Sequence, residues 1–73
     1  MSKSERAQSE RADPKSHEGF IARAYDTEGL KAAVKEAAKL FSGYSDKEAL
    51  DAAATMQSKV RTAVMKMVNS RKA

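Results

Sequence analysis

The chain has no cysteine and no tryptophan, a single proline (Pro14) and a single histidine (His17). Without cysteine there can be no disulfide, no thiolate zinc site and no thiol nucleophile. One histidine cannot build a metal site alone, and His17 is expected to be an exposed residue near a helix start. Glycine occurs three times, at Gly19, Gly29 and Gly43, always isolated. That excludes G-x-G-x-x-G and G-x-x-x-x-G-K-[ST] phosphate loops. No apolar run approaches the roughly 20 residues of a membrane span. No segment alternates apolar and polar residues with period two, so strands are not expected. Aromatic residues number four, Phe20, Tyr25, Phe41 and Tyr44, too few for a base-stacking platform.

Catalytic chemistry is equally thin. Ser16 adjoins His17 in sequence, but adjacency does not make a triad. Asp46, Glu48 and Asp51 are too few and wrongly spaced for an EF-hand. The expectation is a non-enzyme with no catalytic residue, no metal, no cofactor and no small-molecule substrate. The absence of cysteine suits a reducing compartment. The start Met1-Ser2-Lys3-Ser4-Glu5-Arg6 lacks the apolar segment of a secretory signal. A cytoplasmic location is therefore expected.

What is present reads as helix. The first 13 residues are small, polar and charged after Met1, with Ser4-Glu5-Arg6-Ala7 echoed by Ser9-Glu10-Arg11-Ala12, and they predict a disordered tail. Asp13-Pro14 is a helix start, and Phe20, Ile21, Ala24 and Tyr25 follow on one face. Asp26 or Thr27 offers an N-cap for a second helix, whose stripe is Leu30, Val34, Ala37 and Phe41. Residues 15–42 could also form one helix; a break near Gly29 is favoured because it turns Ile21 and Tyr25 inward. Gly43 supplies a left-handed stop. Ser45 and Glu48 form an S-x-x-E capping box, with Tyr44 placed to pack on Ala49. The last stripe is Ala49, Ala53, Met56, Val60, Ala63, Val64 and Met67. The predicted architecture is all-α: helices over about 15–25, 27–42 and 46–70. The two longer ones form an antiparallel hairpin, and the short first one completes a mini-bundle spanning 14–73.

Two features point to a partner. A domain of 73 residues buries only about 60% of its unfolded surface, and small scaffolds without staples often lean on association. The last helix also carries a second apolar shoulder, Leu50, Ala54, Met65 and Val68, beside its main stripe. The shoulder either packs on the first helix or forms a seam with another protein or a second copy. The candidate partner-binding residues are Ile21, Tyr25, Leu50, Met65 and Val68. The leading expectation is thus a small protein-binding module — regulator, inhibitor, adaptor or assembly factor.

Charge supports an alternative. The formal net charge is +4, and Lys59, Arg61, Lys66, Arg71 and Lys72 gather at the C-terminal end. They could meet nucleic-acid phosphates, with Lys31, Lys35 and Lys39 adding a row on the preceding helix. Arg61 falls on the opposite flank from Lys59 and Lys66, which splits the patch, and basic residues at a helix end also complement the dipole. Membrane-surface association of residues 59–73 is not expected, because that segment lacks Trp, Phe and Leu.

Overall fold

The computed structural model describes residues 14–72; the tail with its repeat lies outside them. Four helices follow one another: α1 (Pro14–Glu28), α2 (Leu30–Leu40), α3 (Asp46–Ala53) and α4 (Ser58–Lys72). The all-helical expectation holds, and no described residue is in a strand.

Gly29 joins α1 to α2 by itself. Its N–H donates to the Tyr25 carbonyl at 2.9 Å, and its own carbonyl accepts from Ala33 at 3.2 Å. The last bond of one helix and the first of the next thus meet at one residue. Its φ of 95° and ψ of −176° lie in a region essentially restricted to glycine. The expected break is present, but later than the capping residues suggested. Asp26 and Thr27 belong to α1, where the Thr27 hydroxyl donates back to the Arg23 carbonyl at 2.9 Å. Because the chain turns at Gly29, His17 near the start of α1 packs on Phe41 just beyond α2, with ring centroids 5.1 Å apart.

Gly43 does not act as a left-handed stop, since Gly29 is the sole described residue with positive φ. The end of α2 is closed instead by the Tyr44 N–H donating to the Phe41 carbonyl at 3.0 Å. The capping box is formed as expected: Glu48 N–H donates to Ser45 Oγ at 3.2 Å, and Ser45 N–H donates to Glu48 Oε1 at 2.9 Å.

The long last helix is not continuous. It ends at Ala53 and restarts at Ser58. No glycine or proline marks the spot, so local propensity gave no warning. A straight helix over 46–70 would run about 37 Å and outreach α2, which has 11 residues. The bend keeps both pieces on the core and drives Met56, only 4% exposed, into it. Thr55 Oγ1 donates to the Ala52 carbonyl at 3.1 Å. Glu18 Oε2 accepts the Gln57 N–H at 2.7 Å, satisfying a donor that the new helix start leaves open.

The core draws on every helix: Ile21 and Ala22 from α1, Ala33 and Ala37 from α2, Ala49 and Ala53 from α3, and Val60, Ala63, Val64, Met67 and Val68 from α4, with Phe41 and Met56 from the joints. The antiparallel pairing of the second and third predicted helices is not confirmed: α2 packs on α1 and on α4, the C-terminal part of the predicted third helix, and α3 packs on α4 and α1. The C-terminal halves of α2 and α4 lie side by side, with Val34, Lys35 and Ala38 facing Met67, Ser70 and Arg71 across a groove.

Candidate interaction surfaces

The five residues put forward for a protein partner separate. Ile21 and Val68 are buried in the core. Tyr25 and Leu50 are half-buried and packed against it. Met65 is 54% exposed. Of the apolar shoulder, Val68 is buried and Leu50 half-buried, while Ala54 and Met65 are exposed. Phe20 was placed on the same helix face as Ile21, yet it is 58% exposed. At about 100° per residue the two side chains diverge, and only Ile21 lies in line with His17 and Tyr25. Among the described residues, Phe20 and Met65 are the large apolar side chains left in solvent.

His17 is not exposed. It is 6% accessible and forms an edge-to-face cluster with Phe41 and with Tyr44, at 5.1 and 6.1 Å between centroids. Phe41 and Tyr44 are themselves 5.0 Å apart. The signal was legible: His17 stands four residues before the fully buried Ile21, on the same stripe.

The C-terminal cations have internal partners. Lys59 Nζ lies 2.7 Å from Asp26 Oδ1. Arg71 spreads its guanidinium over three acceptors, the Phe41 carbonyl at 2.8 Å, Asp46 Oδ1 at 3.0 Å and the Tyr44 carbonyl at 3.1 Å. It thereby satisfies a carbonyl at the end of α2 and pairs with Asp46 in the first turn of α3. Arg61 donates to the Met56 carbonyl at 3.3 Å, closing the bend. Lys66 is exposed, and the side chain of Lys72 lies outside the described residues. The basic end is thus largely scaffold.

Cations remain free elsewhere. Lys31, Lys35 and Lys39 are exposed along one line of α2, and none meets a carboxylate among the described residues. Two shallow depressions follow this line. One is lined by Glu28, Lys31, Ala32 and Lys35, and the other is the groove between α2 and α4.

The described residues contain no group of three His, Cys, Asp or Glu side chains that could hold a metal ion, and no helix long and apolar enough to cross a membrane. No family model matches the chain, and no curated protein or solved structure matches it.

Proposed function

We propose that this chain is a small, non-catalytic protein-binding module that acts through an exposed helical face. One observation carries the reading. Phe20 and Met65 each stand more than half exposed, although the other large apolar side chains of the described residues are buried in the core or packed half-buried against it. An exposed aromatic ring and a flexible thioether are the kinds of anchor that protein interfaces bury. The contact residues are accordingly Phe20 and Met65, rather than the shoulder as a whole.

The test is site-specific crosslinking. A photoreactive residue placed at position 20 or 65 is expected to give a defined crosslinked species, either with a second copy of the chain or with one protein from the producing cells. The pair is then reconstituted from purified components. Binding should weaken at least tenfold in the Phe20→Ser/Met65→Ser variant. Strictly monomeric sedimentation, with no more crosslinking from positions 20 and 65 than from position 47 on α3, would refute the reading.

A further inference from the structure

We infer that the exposed face of α2 bearing Lys31, Lys35 and Lys39 is a binding surface for the phosphate backbone of a duplex nucleic acid. This site lies apart from the protein-binding anchors.

Four of the described cations are ion-paired within the molecule. Lys15 pairs with Glu18, Lys47 with Asp51, Lys59 with Asp26 and Arg71 with Asp46. These pairs hold the chain's own elements or stabilise single helices. Lys31, Lys35 and Lys39 pair with no carboxylate among the described residues. They recur every four residues, so they stand about 6 Å apart and span about 12 Å of one helix face. Duplex DNA carries one negative charge per about 1.7 Å of its axis, so a 12 Å row of ammonium groups meets several phosphates in any register. The acids nearest the row in sequence are Glu28, which lines the first depression beside Lys31, and Glu36 on α2.

The surroundings favour phosphate over an acidic protein. Ala32 and Ala38 flank the row and leave the long lysine side chains projecting. Protein interfaces are depleted in lysine and anchored by Trp, Tyr and Arg. This face has no aromatic anchor, and Arg71, which lines its groove, is already held by two carbonyls and Asp46. Without an aromatic ring there is also no platform for unstacked bases, so the substrate is a duplex bound without regard to sequence. Met67 and Ser70 of α4 line the same groove. Met65 lies about 200° around α4 from Met67, on the far side.

Fluorescence anisotropy of the full chain with a mixed-sequence 20-base-pair DNA duplex tests this. Binding is expected at 50 mM salt and should weaken about 40-fold by 200 mM, the change given by three phosphate contacts at a slope of about −2.7. Lys31→Gln/Lys35→Gln/Lys39→Gln should abolish it with an unchanged circular dichroism spectrum. Lys47→Gln on α3 and Phe20→Ser/Met65→Ser should leave it intact, which separates this site from the protein-binding one. An RNA duplex should bind with a similar salt dependence. No binding at 50 mM salt, full binding by the triple variant, tighter binding of the single strand, or equal affinity for a polyglutamate peptide would each overturn the assignment.

Discussion

At the scale of single residues, the two glycines of α1 and its junction make opposite predictions. Gly29 needs its backbone conformation, since a side chain there would be strained even though a Cβ would meet nothing within 4 Å. Gly29→Ala is expected to destabilise the fold by about 1–3 kcal/mol. Gly19 sits inside α1 with equally open space around it, and Gly19→Ala is expected to stabilise by about 0.5–1 kcal/mol. Urea denaturation of the two variants measures both, and a shift of the same sign in the two would contradict the account. The sequence favours a break near Gly29 because it turns Ile21 and Tyr25 inward. His17 is buried, not exposed as expected, because it shares the helix stripe of Ile21 and Tyr25.

At the scale of elements, the start signals were readable and the interruption was not. The capping box needs only residues three apart, and it forms as the sequence implied. The bend between α3 and α4 rests on Glu18, which lies 39 residues from the Gln57 N–H that it accepts. No window of sequence around Ala54–Gln57 contains that information. Glu18 also puts a negative charge at the positive end of α4, where the helix dipole favours it. Glu18→Ala is therefore expected to cost about 1–2 kcal/mol and to speed hydrogen exchange at Gln57 more than at Val64. Equal acceleration at both amides would mean that Glu18 supports the fold generally rather than the helix start.

At the scale of the whole molecule, Arg71 ties the last turn of the chain to the turn between α2 and α3. Its planar fork reaches three acceptors at once, which a lysine ammonium on a flexible stem cannot reproduce. Arg71→Lys is expected to lower stability by about 1–2 kcal/mol, whereas Asp46→Asn should cost less than about 1 kcal/mol, because the two carbonyl bonds persist. Thermal unfolding of the two variants compares them, and an Asp46→Asn loss as large as that of Arg71→Lys would place the energy in the ion pair instead. The same packing decides which surfaces remain. It withdraws Ile21, Val68, Lys59 and Arg71 from any partner and leaves Phe20, Met65 and the α2 lysines in solvent.

Sequence alone determined the helical class, the capped start at Ser45 and most of the core stripe, and it favoured a break near Gly29 over one continuous helix. Each of these follows from residues within one or two turns of each other. Tertiary structure alone decided the bend after Ala53, the packing of α4 rather than α3 against α2, and the division of the cations into held and free. Those outcomes depend on groups 25 to 39 residues apart, which meet only once the helices have folded onto a common core.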